Sequence, residues 1–67
     1  MPHYPDVHIS LRTRNRFAVV SAIRHGLRRA GTPPAEIERF CLEALGAQDP
    51  NSFEEICRDW VRIDRVF

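Results

Sequence analysis

The residues best able to do chemistry crowd into one short stretch. His8, Ser10 and Arg12 alternate with Val7, Ile9 and Leu11, and Arg14, Asn15 and Arg16 follow directly. A guanidinium is a planar fork of donors that grips phosphate or carboxylate two bonds at a time. An imidazole and a hydroxyl in the same row each add a hydrogen-bonding group. The chemistry this pattern suits is recognition of an anion, phosphate above all. His8, Ser10, Arg12, Arg14, Asn15 and Arg16 therefore form the candidate ligand-binding set, and symmetric assembly would add Arg62 from the far end of the chain. The plainer reading of the same row is a solvated, charged strand edge that discourages aggregation.

Catalysis finds little support. Covalent catalysis needs a Ser or Cys beside an oriented base. Cys41 and Cys57 fall at core spacing on apolar helix faces, where a free thiol behaves as a small hydrophobe. His8 and Ser10 share a strand face, but no glycine-rich elbow supports them. Glu54 and Glu55 are sequence neighbours at a helix start, not a facing acid–base pair. No enzyme is expected on this pattern. His3, His8 and His25 do not combine with the two cysteines into a short-spaced zinc motif, so no metal or other cofactor is expected.

The elements that must hold these residues follow from periodicity. Alternation predicts a strand over Asp6–Thr13, with Val7, Ile9 and Leu11 inward and His8, Ser10 and Arg12 outward. Asn15 suits the N-cap of a helix over residues 16–30. Val19, Ala22, Ile23, Gly26, Leu27 and Ala30 make its apolar stripe. A glycine on such a stripe marks a close approach by another element. Phe17 and Val20 lie beside the stripe and are the candidate oligomer contact. Arg28 and Arg29 complement the helix dipole, and Gly31 ends the helix. Thr32 followed by Pro33 and Pro34 is expected to cap a second helix carrying Ile37, Phe40, Cys41, Ala44 and Leu45 inward, with Gly46 at its end. A third helix begins either at Asp49 with Pro50 in its first turn or at a Ser52–Glu55 capping box. Trp60 is expected in the core with its N–H satisfied. From there Val61 and Ile63 alternate with Arg62 and Asp64, which predicts a second strand, although the helix period can also run on through Trp60 and Val61. The expected fold is one α+β domain, residues 1–67, ordered strand–helix–helix–helix–strand. Its strands would form a small antiparallel sheet packed on the helices and completed by oligomerisation.

Size and charge narrow the function classes. A chain of 67 residues has a marginal core and commonly needs a disulfide framework, a metal or a partner subunit. Two cysteines without a secretion signal point to free thiols in a reducing compartment. Self-association is the remaining support. No apolar run approaches the roughly 20 residues that span a bilayer. The net charge of +1 hides a division: residues 1–35 carry six arginines against Asp6, and residues 36–67 carry four arginines against eight acids. A basic half suits an anionic partner, whereas the weak total argues against coating long nucleic acid. All ten basic residues are arginine.

The pattern Tyr4-Pro5-Asp6-x-His8-Ile9-x-Leu11, Asn15-x-Phe17-Ala18-Val19, Leu27-Arg28-Arg29-Ala30-Gly31, Glu36-Ile37-x-x-Phe40 and Trp60-Val61 resembles a group of small hypothetical proteins of phages, prophages and bacteria. The resemblance covers nearly the whole chain. Where that group carries a Gly- and Asp-rich turn before the Asn, this chain has Arg14-Asn15-Arg16. The resemblance implies a small soluble protein in the cytoplasm of a bacterial host cell and a phage-related setting. It implies no chemistry.

Three functions compete. The favoured one is a homo-oligomer that binds a phosphate-bearing small molecule without turnover. In a phage setting such a molecule could be a nucleotide signal of host immunity, sequestered as an anti-defence measure. The second is a ribbon-helix-helix DNA-binding regulator, whose strand would read the major groove with His8, Ser10 and Arg12. The third is direct inhibition of a host protein through Phe17 and Val20.

Overall fold

The helices begin and end where local chemistry dictates. In the computed structural model, which describes residues 1–65, the order is β1 (Tyr4–Ser10), α1 (Arg16–Arg29), α2 (Pro34–Leu45), α3 (Pro50–Trp60) and β2 (Val61–Arg65). The Asn15 side chain accepts the Ala18 N–H at 3.1 Å and starts α1. Gly31 stops it at φ +83°. There the Thr32 and Gly31 N–H groups donate to the carbonyls of Leu27 and Arg28, a Schellman closure that glycine enters without strain. Asp49 starts α3 by accepting both the N–H and the hydroxyl of Ser52 at 2.9 Å, with Pro50 following it. Those bonds hold the Asp49 carboxyl below its ordinary range. Of the two starts open for this helix, the Asp49 one forms. Thr32 does not cap α2: the N-cap is Pro33 and no side chain closes it. Thr32 is instead buried in the turn where α1 ends.

The two strands are parallel, not antiparallel as expected. Antiparallel pairing is the simplest outcome when a short loop joins two strands. Residues 11–60 instead form a helical crossover, which returns the chain to the same end of the sheet and gives parallel pairing. Tyr4 lies opposite Val61 and His8 opposite Arg62, so β1 bulges between these pairs. Pro5, which has no N–H to give a ladder, sits in that bulge. β1 also starts and stops earlier than alternation alone indicates. The His3 N–H donates to Asp59 O at 2.8 Å, drawing the first residues alongside β2. At the other end Ile9 meets Ile63 and Ser10 meets Arg65, the last described residue of β2, so β2 carries Asp64 as an extra residue between these pairs.

Helices cover one face of this sheet. Val7, Ile9, Leu11 and Val61 point into the core, while Asp6, His8, Ser10, Arg62 and Asp64 are exposed. Val19, Val20, Ile23 and Leu27 of α1 are all buried. Val20, at 4% exposure, is therefore core and not an oligomer contact. α1 packs against both β1 and α2, so its buried arc is wider than one stripe. Phe17, expected beside it, is 72% exposed.

Gly26 marks a close approach, as its place on the stripe indicates. A Cβ built there would lie 2.5 Å from Ile9 Cδ1 and 3.4 Å from Val7 Cγ1. Gly26→Ala gains helix propensity of up to about 1 kcal/mol but overpacks a core, which costs about 1–3 kcal/mol. The expected net is a loss of about 1 kcal/mol, read as a lower urea midpoint at unchanged slope. A more stable Gly26→Ala protein would show that Ile9 moves aside freely.

Trp60 joins the layers and is 1% exposed. Its ring meets Phe40 edge-on at 5.7 Å, His3 edge-on at 4.6 Å and Tyr4 in a stack at 6.0 Å. Its Nε1–H donates to Glu43 Oε1 at 3.1 Å, as expected of a buried indole. Arg39 lies over the ring at 5.6 Å and donates to the other oxygen of Glu43.

Candidate functional site

The segment between β1 and α1 does more than connect them. Past Ser10 the chain leaves the sheet, so Thr13, Arg14 and Arg16 no longer obey strand alternation. They turn toward α3 and border a cleft of about 340 Å³. Its floor is the buried apolar set Leu11, Val19, Phe53 and Cys57, with Ile63 of β2 beside it. Its rim carries Arg14, Arg16, Thr13, Asn51 and Glu54. The volume is at the low end of small-ligand pockets, about 300–1,000 Å³. The cleft lies toward the carboxyl end of β1, the side of an α/β sheet on which ligands commonly sit.

Arg16 is held in place. Its Nη1–H donates to Ala47 O at 2.8 Å, and its guanidinium lies 5.1 Å from the Phe53 ring centroid. That hydrogen bond occupies one of the five N–H donors of a guanidinium. The same contact ties the start of α1 to the loop between α2 and α3. Across the rim, Glu54 pairs with Arg58 at 3.2 Å.

The sequence-derived ligand set divides in two. Arg14 and Arg16 reach the cleft. His8, Ser10 and Arg62 lie on the exposed sheet face, away from it. There His8 Nδ1 is 3.1 Å from both oxygens of Asp64. The Arg62 Nε–H donates to Pro5 O at 3.0 Å. Arg12 is exposed just beyond the end of β1 and does not line the cleft. Asn15 spends its side-chain oxygen on the α1 cap. The single row seen in the sequence thus divides into a cleft-lining pair, Arg14 and Arg16, and a separate strand-to-strand clasp.

Sequence patterning gives Thr13 and Asn51 no role, and it marks Glu54 only as one of two neighbouring acids at a helix start, yet all three line the cleft. Asn51 follows the proline at the start of α3, and nothing in helix periodicity shows that this turn faces Arg14. Alternation puts Asp64 on a polar strand face, but its partnership with His8 depends on a parallel register.

Cys57 in the cleft floor is a free, buried thiol. Burial, with Glu54 adding to it, pushes its pKa up to about 11. It stays protonated at neutral pH, and the thiol form is a poor nucleophile. Cys41 is only half-buried; burial raises its pKa, and Arg24 partly opposes the shift. Among the described residues no group of three or more His, Cys, Asp and Glu is placed to hold a metal ion. None of the described helices is long and apolar enough to cross a membrane.

No family model, no curated protein and no solved structure matches this chain.

Proposed function

We propose that the protein captures a phosphate-bearing small molecule in this cleft, without turnover, as a self-associated protein inside a bacterial cell. The observation that carries the reading is that Arg14 and Arg16 line the same cleft, above an apolar floor. Two guanidinium groups suit the anionic end of a ligand, and Leu11, Val19 and Phe53 suit an apolar or aromatic remainder. A nucleotide has both parts. The protonated Cys57 supplies no nucleophile, which fits capture better than chemistry.

The DNA-reading alternative gains nothing from the strand. β1 pairs in parallel with β2 of its own chain, and its outward row is interrupted by the His8–Asp64 bond. A protein-inhibitor role has one observation in its favour, the exposure of Phe17, Leu42 and Leu45.

The test is thermal melting and native mass spectrometry with inorganic phosphate and a panel of cyclic and ADP-ribose-type nucleotides. A binder raises Tm with its concentration. Arg14→Ala then weakens binding about 10- to 100-fold, the worth of a charge-assisted bond. The unliganded variant is melted in parallel, so that a folding defect is separated from lost affinity. No shift with any compound, or a shift that Arg14→Ala leaves intact, sinks the reading.

A further inference from the structure

β2 is an open edge. Among the described residues it pairs with β1 alone, which leaves its other side without a strand. A bare two-stranded sheet is marginal, and an unpaired edge invites another strand. The outer side chains of β2 carry a pattern that reads the same after inversion. Arg62 and Asp64 are exposed and flank Ile63, which points inward and is only partly buried.

We infer that this edge is a two-fold interface, in which β2 pairs antiparallel with β2 of a second copy, centred on Ile63. The occupant follows from charge. In that register Arg62 stands opposite the partner's Asp64, and Asp64 opposite the partner subunit's Arg62. Ile63 meets the partner's Ile63 on the inner face. Two opposite-charge pairs and one apolar pair form from a single tripeptide, because a two-fold axis uses the same patch twice. The pairing within each chain remains parallel, and the assembly becomes a four-stranded sheet with β2 and its copy at the centre.

The edge of β1 is a poorer candidate. A two-fold pairing centred on His8 would set Asp6 against a serine and His8 against a histidine, and one centred on Val7 would set Asp6 against a histidine that Asp64 already holds. Pro5 would also remove a ladder donor. Asp64 keeps its bond to His8 in the proposed arrangement, since a carboxylate accepts several hydrogen bonds.

This inference deepens the self-association part of the proposed function and leaves the cleft aside. The experiment is a charge exchange followed by sedimentation equilibrium and native mass spectrometry. The unaltered chain is expected to be dimeric at micromolar concentrations. Arg62→Asp and Asp64→Arg each create two like-charge pairs and are expected to weaken the dimer at least about tenfold. An equimolar mixture of the two variants restores opposite charges in both pairs, so a heterodimer of mixed mass returns. General unfolding cannot produce that rescue. A second measurement covers loss of the His8 clasp in Asp64→Arg. In a Cys41→Ser, Cys57→Ala background, which removes the neighbouring cleft thiol, Ile63→Cys places two thiols across the axis, within disulfide range for facing strand residues. Mild oxidation is expected to give a covalent dimer on a non-reducing gel. A monomeric native chain, or variants that neither lose the homodimer nor form the heterodimer, overturns the interface. So does an absence of crosslinking. A monomer that still binds a nucleotide through Arg14 would overturn this interface and leave the cleft reading intact.

Discussion

Trp60→Ala is expected to leave the chain unfolded at 37 °C. Trp60 is 1% exposed and touches Phe40, His3 and Tyr4, so one side chain holds α2, α3 and the start of the sheet together. Removing a buried Trp costs about 3–5 kcal/mol. A single core in a chain of this size rarely supplies more than about 3–5 kcal/mol in all. The loss therefore matches the whole stability. Far-UV circular dichroism against temperature reads it directly. Glu43→Leu is the milder companion: it leaves the Trp60 N–H without its acceptor, at about 1–3 kcal/mol. A cooperative melt of Trp60→Ala above 37 °C would show that the helices pack without this hub.

The second large effect appears in alkali and comes from Cys57. Its pKa rises from 9.0 to about 11 on folding, because burial disfavours the thiolate and Glu54 adds a negative charge nearby. The unfolded thiol ionises first. The stability linked to this proton is complete below pH 9 and is lost as the pH climbs through the folded value near 11. Over that gap, at about 1.4 kcal/mol per pH unit, the loss is about 2–3 kcal/mol. Cys57→Ala should be less stable at pH 7, because it leaves a small cavity, yet decline less between pH 9 and pH 11. Urea midpoints of both proteins across that range settle the matter. Parallel declines would assign the alkaline loss to other groups.

What the sequence shows of this fold is what local chemistry decides. The Asn15 cap and the Gly31 stop each depend on a few neighbouring residues and are readable from the chain; the Asp49 start is one of two that the sequence leaves open, and Gly26 marks a close approach without saying that β1 makes it. The direction of β2 is different. It depends on where three helices return the chain, which no alternation of Val61 and Ile63 encodes. Val20 is core for a related reason: the width of α1's buried arc is set by α2 beside it, which the stripe alone does not show. The candidate site divides along the same line. Alternation correctly sends His8 and Ser10 outward. It has no authority over Arg14 and Arg16 once the strand has ended, and there the tertiary path takes both to the cleft. The His8–Asp64 bond was invisible for want of a register.

The pairing of β1 with β2 also sets the timetable of folding. Tyr4 meets Val61, so the strand made first must wait for the strand made last. During synthesis α1, α2 and α3 can form and begin to pack as they emerge, since their contacts are close in sequence. β1 cannot. Until residues 61–65 leave the ribosome, Val7 and Ile9 belong to a lone strand with no ladder to join. Closing so long a loop is slow in entropic terms, and it comes at the end. A stalled or truncated nascent chain would therefore present a helical cluster with an unpaired hydrophobic strand attached, a species suited to capture by a chaperone.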